Sequence, residues 1–275
     1  MAVGYLRLGV LGGGAIAEAL VAGALTQGSY APAEVRVSEP LAERRSYWEE
    51  RYHVQTTAYN QEVTTAELLL LAIKPQVLPE VARNLERPLA AGALVSVLAG
   101  VPLSVLGGLF PGTPLVRAMP NTPALVGAGI TALAKGPGIT PAQMTLAETL
   151  FQAVGAVVQV PETQLDAVTG LSGSGPAYVC LFVEALMDAG VAVGLPRPIA
   201  RELVLATVSG TIQLIQTENL HPAQLKDRVT SPGGTTIAGL ARLEEGAMRS
   251  ALIQAVIAAT ERARELGKAL DNAPP

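Results

Sequence analysis

An α/β domain built on a parallel sheet over residues 1–160, followed by an all-α domain over residues 161–275, is the fold class that the sequence predicts. Three observations predict it. Short apolar runs, Leu68–Ile73 the plainest, alternate with helical stretches through the first half, as strands buried on both faces require. Three consecutive glycines, Gly12, Gly13 and Gly14, stand between the first apolar run and the first helical stretch. Beyond Pro161 the short runs stop, and Tyr178, Leu181, Phe182, Ala185, Leu186 and Ala189 recur at helical spacing.

Each element has its own signal. Arg7–Leu11 reads as a first strand, Ala15–Thr26 as a helix of small residues, and Glu34–Ser38, with Val35 and Val37 alternating, as a second strand. Together these make a βαβ unit. Leu68–Ile73, closed by Lys74-Pro75, and Ala93–Leu98 are continuous apolar runs of a length that suits buried parallel strands. Leu115-Val116, Gly129–Ala134 and Val157–Val160 read as further strands, so the sheet ends near residue 160. Thr140–Val154 reads as a helix with Thr140 as its N-cap and Pro141 at its first position. In the second domain Ile199, Leu203, Ala206 and Ile212-Gln213-Leu214-Ile215 continue the apolar stripes. Those stripes are broad for so short a segment to bury alone, which predicts an obligate dimer; packing on the first domain only is the alternative.

Composition narrows the function classes. A hydrophobic content of 49% with 15% charged residues excludes a disordered chain. A net charge of -4 and 4% aromatics argue against a nucleic-acid surface or an acidic membrane, which leaves a small molecule as the expected partner. The single cysteine, Cys180, makes no disulfide framework within the chain, fits a cytoplasmic location and reads as a small core residue. With two histidines, His53 and His221, no metal site is expected. The N-terminal residues run straight into the glycine segment without a secretory-signal pattern. The charge-free stretch from Pro88 to Val116 is interrupted by Gly92, Gly100, Pro102, Gly107 and Pro111, so it reads as strands and turns, not as a membrane span.

Gly12-Gly13-Gly14-Ala15-Ile16-Ala17 has the spacing G-x-G-x-x-A after a strand and at the start of a helix, the context of a Rossmann-type dinucleotide fingerprint. Gly12 permits the tight turn, Gly14 lets the backbone approach a pyrophosphate on the helix N-terminus, and Ala17 permits close helix–strand packing. Glu39, at the end of the second strand, suits the ribose of NAD and opposes the extra phosphate of NADP. Arg44 and Arg45 read equally as a grip on that phosphate or as a solvated helix face, so the cofactor stays open as NADP(H) or NAD(H). A second constellation, Ser231-Pro232-Gly233-Gly234-Thr235-Thr236, is a turn that opens a helix and aims backbone amides outward, which suits a carboxylate; helix capping alone is the other reading. A third, Leu171-Ser172-Gly173-Ser174-Gly175-Pro176, places small residues where a long helix begins and the backbone passes close to a ligand or another helix.

These blocks carry a family resemblance. Gly12 to Ala17, Ala72-Ile73-Lys74-Pro75, Arg117-Ala118-Met119-Pro120-Asn121-Thr122-Pro123, the run from Asp166 to Tyr178 and the run from His221 to Leu240 together resemble the pyrroline-5-carboxylate reductases, in order from about residue 6 to 267. The resemblance implies reduction of L-1-pyrroline-5-carboxylate to L-proline with NADPH or NADH, the last step of proline biosynthesis. It also implies a Rossmann domain followed by a helical dimerisation domain, with homodimers interlocking through the C-terminal helices and assembling further, commonly into a ring of five dimers. Residue by residue, it implies a cofactor pocket of Leu11, Gly12, Gly13, Gly14, Ala15 and Ile16 on the pyrophosphate, with Ser38, Glu39 and Asn60 at the adenosine ribose. Ala72, Ile73, Lys74 and Pro75, with Val97, Leu98, Ala99 and Gly100, line the nicotinamide side. Gly233, Gly234, Thr235 and Thr236 hold the substrate carboxylate, the Thr236 hydroxyl meets the imine nitrogen, and Ser174 and Met119 lie behind. The chain departs from many relatives at Ser38-Glu39-Pro40, and no substrate role falls to Asn219.

Hydride transfer to a C=N bond requires an electrophilic, preferably protonated, imine held about 3–3.5 Å from the nicotinamide. A threonine hydroxyl is too weak an acid to act alone, so the imine is expected to arrive protonated or to take its proton through Thr236 and water, with His221 and Lys226 as rival donors. A reductase of another cyclic imine and a non-catalytic dinucleotide-binding sensor are the competing functions; a sensor has no need of the Ser231–Thr236 loop.

Overall fold

The computed structural model describes residues 6–86 and 89–271. Eight strands, β1 (Leu8–Leu11), β2 (Val35–Ser38), β3 (Gln55–Thr57), β4 (Leu68–Leu71), β5 (Ala93–Ser96), β6 (Leu115–Met119), β7 (Gly129–Lys135) and β8 (Gly155–Gln159), form one sheet in the order β3-β2-β1-β4-β5-β6-β7-β8. β1 to β6 run parallel, β7 is antiparallel to β6, and β8 is parallel to β7. The chain leaves β1 toward β2 on one side and returns to β4 on the other. The order therefore reverses beside β1, and the crevice at the carboxyl ends of β1 and β4 is where such sheets take ligands.

Helices on both faces explain why the central strands are apolar throughout. Leu8, Val10, Leu68, Leu70, Ala93 and Val95 point into one core with Trp48 and Phe151. Leu11, Leu69, Leu71 and Leu94 point into the other with Leu106 and Phe110. Each fully buried leucine contributes about 1.5–3 kcal/mol. The helices of this layer are α1 (Ala15–Thr26), α2 (Ala42–Tyr52), α3 (Leu78–Arg83), α4 (Leu103–Leu109), α5 (Pro141–Gln152) and the short α6 (Leu165–Val168). α5 starts as its sequence indicates: the Thr140 hydroxyl accepts from the Gln143 amide at 3.3 Å, Gln143 reaches back to the Thr140 amide at 2.8 Å, and Pro141 takes the first position.

Two compact units emerge, and the segment from residue 161, where the second domain is expected to begin, to Ser174 packs with the first. The first comprises Met1–Ser174 together with Ile257–Pro275, and the second Gly175–Val256. The physical reason lies on β6. Arg117, only 6% exposed, reaches Glu162 Oε1 and Asp166 Oδ1, each at 3.4 Å, and Glu162 Oε1 also accepts from the Leu103 amide at 2.6 Å. Leu165 is fully buried against Ala132 and Ala134. These contacts hold the segment after β8 on the sheet through α6 and the π-helical turn Thr169–Gly173. The end of α11 (Met248–Asp271) belongs to the same unit, where a Cβ at Gly100 would stand 3.3 Å from that of Leu266.

The second unit is helical: α7 (Gly175–Ala192), α8 (Arg197–Glu218), α9 (Pro222–Arg228), α10 (Thr235–Glu245) and the start of α11. α7 and α8 meet where Gly190 faces Ala200, 1% exposed; a Cβ on Gly190 would lie 2.8 Å from that of Ala200. Its apolar stripes are left open. Leu181 is 69% exposed and Val193 81%, and Ile199, Leu203, Ile212 and Leu252 are exposed too. Cys180 lies on α7 and is exposed rather than buried, because that helix face finds no cover among the described residues.

Replacing Arg117 by methionine leaves two partly buried carboxylates without their cation. The expected loss is about 2–3 kcal/mol of stability, read as a lower urea midpoint at unchanged slope.

Candidate active site

The turn from β1 to α1 is built from behind. Gly12 has φ +95°, a conformation that favours glycine, and a Cβ there would stand 2.7 Å from the Ala72 carbonyl oxygen. Its amide donates to the Ser38 carbonyl at 2.9 Å, tying the turn to β2. Gly13 is held at both ends. Its N–H donates to Glu39 Oε2 at 3.0 Å, and its carbonyl accepts from Trp48 Nε1 at 3.2 Å and Arg44 Nε at 2.8 Å. Gly14 caps α1 with no side-chain hydrogen bond, and a Cβ on it would meet no atom within 4 Å. Open space over an uncapped helix N-terminus is what a pyrophosphate requires, so the turn fits a dinucleotide. Ala17 is fully buried in the core beneath.

The residues expected around the cofactor follow the carboxyl ends of adjacent parallel strands. Leu11 ends β1, and Gly12 to Ile16 lead from it into α1. Ser38 ends β2, and its hydroxyl donates to Asn60 Oδ1 at 2.6 Å, bringing those two together. Glu39 follows, 9% exposed, accepting from the Gly13 and Leu41 amides. Ala72 to Pro75 follow β4, with the Ala72 amide donating to the Leu11 carbonyl at 2.8 Å and Lys74 exposed. Val97 to Gly100 follow β5, where the Val97 amide donates to the Leu71 carbonyl at 3.1 Å and Gly100 turns with φ +73°. Met119 ends β6 beside Gly173, at which a Cβ would lie 2.6 Å from the methionine methyl; Ser174 closes the π-helical turn.

Sequence reasoning left Arg44 and Arg45 between two readings, and neither forms a solvated face. Arg44 pairs with Glu18 and lies over the rings of Tyr47 at 4.6 Å and Trp48 at 5.8 Å. Arg45 Nη1 donates to the carbonyls of Glu39 at 2.9 Å and Pro40 at 2.8 Å. Trp48 itself is a part of the site that sequence reasoning missed. A lone tryptophan in a charged helix was the available signal. Glu18 also accepts from Tyr47 at 2.7 Å and Tyr52 at 2.8 Å. Burial pushes the Glu18 carboxyl up, but these hydrogen bonds and the Arg44 charge outweigh it and hold the group below its ordinary value.

The other loop lies in the second unit. Gly233 has φ +65°, and the Gly234 amide donates to the Ser231 carbonyl at 3.1 Å. A Cβ on Gly234 would lie 2.2 Å from Ser231 Oγ. Gly234 caps α10 without a side-chain bond, so Thr235 and Thr236 open the helix with their amides in its first turn. The rival proton donors are engaged. His221 caps α9, its Nδ1 accepting from the Ala223 amide at 3.2 Å, and Lys226 pairs with Asp227 at 2.7 Å. Asn219 is the left-handed cap that ends α8. Among the described residues no group of three or more His, Cys, Asp or Glu is placed to hold a metal ion.

Sheet order, glycine turn and helical second unit define a dinucleotide-dependent oxidoreductase, and the comparisons say which. A model of pyrroline-5-carboxylate reductase dimerisation matches residues 162–266, and one described as NADP oxidoreductase, coenzyme F420-dependent, matches residues 7–100. The pyrroline-5-carboxylate reductase of Synechocystis is 52% identical over 96% of this chain and 99% of its own, and that of Arabidopsis thaliana 39% identical over 95% and 96%. Among solved structures, the Coxiella burnetii enzyme superposes with TM-score 0.86 at 34% identity, covering 94% of this chain and 98% of that one. The Plasmodium falciparum enzyme, solved with NADP bound, gives 0.87 at 29% identity, with coverage of 95% and 98%. The chain belongs to the pyrroline-5-carboxylate reductase family.

Two outcomes test this geometry. Gly12→Ala forces a Cβ onto the Ala72 carbonyl at positive φ and is expected to cost about 2 kcal/mol of stability and at least about tenfold in dinucleotide affinity, measured by calorimetry. Because the folded value of Glu18 is lowered, its contribution is present above the ordinary 4.5 and disappears as pH falls through the lowered folded value. The melting-temperature gap between wild type and Glu18→Gln is therefore expected at pH 7 and should close on acidification.

Proposed function

We propose that this chain reduces L-1-pyrroline-5-carboxylate to L-proline with NADPH or NADH, the last step of proline biosynthesis. The observation that carries the reading is the pairing, in one family member that aligns with 99% of its Synechocystis relative, of the glycine turn with the Ser231–Thr236 loop. When bound, the reduced nicotinamide supplies the hydride. The Gly14 amide and those at the start of α1 hold the pyrophosphate over the Gly12–Gly13 turn, Ser38, Glu39 and Asn60 meet the ribose, and Ala72–Pro75 with Val97–Gly100 line the nicotinamide side. The amides of Gly233, Thr235 and Thr236, around the Gly234 cap of α10, take the substrate carboxylate, since a helix N-terminus without a side-chain cap favours an anion. The Thr236 hydroxyl bonds the imine nitrogen and passes a proton from water, which is consistent with His221 and Lys226 being engaged elsewhere. Met119 and Ser174 support the substrate side from behind.

The functional form is a homodimer through the C-terminal helices, in which each site joins the cofactor half of one protomer to the helical half of the other, and dimers assemble further into a ring of five. The exposed stripes of α7 and α8 support this. By length and composition Glu162–Ala192 is apolar enough to cross a membrane. It lies within the matched dimerisation region, and we assign its apolar face to the partner protomer, with no membrane or nucleic acid involved and a cytoplasmic location.

Initial-rate oxidation of NADPH and NADH with fresh L-1-pyrroline-5-carboxylate, and proline as product, tests the activity; folded, dimeric protein without turnover returns the reading to another cyclic imine or a sensor. Thr236→Ala is expected to lower kcat about 100-fold, and unchanged turnover removes Thr236 from the mechanism.

A further inference from the structure

The adenosine end of the cofactor site holds an anion that cannot easily turn away. Glu39 Oε2 accepts the Gly13 amide at 3.0 Å and its Oε1 accepts the Leu41 amide at 3.1 Å, so both oxygens are pinned by backbone, and the residue is 9% exposed. The cations that would offset it toward a ligand point elsewhere. Arg44 is engaged by Glu18, the Gly13 carbonyl and two aromatic rings. Arg45 is drawn back onto the Glu39 and Pro40 carbonyls. The Ser38 hydroxyl, next to Glu39 in the chain, and the Asn60 amide are joined at 2.6 Å and bring no charge.

A ribose diol offers hydroxyl donors to a carboxylate; a 2′-phosphate offers only acceptors and a charge of about −1.5 to −2. In a mostly buried setting the repulsion between that phosphate and a fixed carboxylate is weakly screened. We propose that Glu39 is the specificity-determining residue of the adenosine site and makes this chain select NADH over NADPH. The proposal rests on the reductase reading above and says which dinucleotide that site takes.

Binding without the imine substrate tests it. Trp48, the single tryptophan, hydrogen bonds the glycine turn, so quenching of its fluorescence reports NADH and NADPH separately, with calorimetry as the second readout. Wild type is expected to bind NADH at least about tenfold more tightly than NADPH, about 1.4 kcal/mol. Glu39→Gln keeps an acceptor for the Gly13 amide but removes the charge, and is expected to bring the two affinities within about threefold. Arg45→Ala is expected to leave their ratio unchanged. A wild-type preference for NADPH, equal shifts of both affinities in Glu39→Gln, or selective loss of NADPH binding in Arg45→Ala overturns the proposal. Should Glu39→Gln fail to fold, 5′-ADP against 2′,5′-ADP on wild type decides: tighter 2′,5′-ADP overturns it, tighter 5′-ADP supports it. Folded wild type that binds neither dinucleotide overturns the reductase reading itself, a result distinct from a reversed ratio.

Discussion

Everything at the ligand edge of the sheet depends on holding the Gly13 peptide in place. A turn of three glycines has little stiffness of its own, because each glycine has more backbone states to lose than any other residue. The protein fixes it from outside: the N–H goes to Glu39, and the carbonyl goes to Trp48 and Arg44. Glu39 follows β2, whereas Arg44 and Trp48 lie on α2, so the second βα unit acts as the backing of the first turn. A residue larger than glycine at position 13 would meet Trp48 Nε1 at 2.6 Å from its Cβ, so clamp and glycine are mutually required. With the peptide immobilised, the neighbouring Gly14 faces open space without loosening, and the start of α1 is ready for a ligand before one arrives.

What was legible in the sequence was local. The strands show through as apolar runs because both faces of the sheet are covered, and α5 shows through because Thr140, Pro141 and Gln143 lie within four residues of each other. β3 was missed: Gln55–Thr57 is three residues long, polar and partly exposed, so it carries no apolar signal and is defined by pairing with β2 alone. The packing of residues 161–174 on the first unit was hidden for the opposite reason. The end of the last strand is visible in the chain, but the ion pairs from Arg117 to Glu162 and Asp166 bridge 45 and 49 residues, and no spacing reveals them. Cys180 was misread by type. Its residue class is usually buried, yet α7 faces outward within the single chain.

The same distinction separates the two units energetically. The first buries whole leucine-rich strands and stands on its own core, whereas the second has Ala200 and Leu225 as its buried apolar residues among those described. Helices so open would gain little by folding alone, since their apolar faces stay wet. Residues 162–266 match a dimerisation region, and in the proposed homodimer the partner supplies the cover, which places the stability of the helical unit in association.

The two units also solve one recognition problem in the same way. α1 begins at Gly14 with φ -76° and ψ -179°, and α10 at Gly234 with φ -81° and ψ 179°; neither cap makes a side-chain hydrogen bond. A serine or aspartate cap would fill a first-turn amide with its own oxygen. Glycine leaves those amides to a ligand, and in each case a glycine at positive φ, Gly12 or Gly233, shortly precedes the cap and turns the chain into the helix. One N-terminus suits a pyrophosphate and the other a carboxylate, so both anions in the proposed reaction are met by backbone dipoles that do not titrate. Most ionisable side chains are then released for structure: Glu18 and Arg44 behind the glycine turn, and Arg117, Glu162 and Asp166 on β6 and the segment after β8. The proposed site asks little of side-chain acid–base chemistry beyond a threonine hydroxyl, which is consistent with a chain of two histidines, one of them a helix cap.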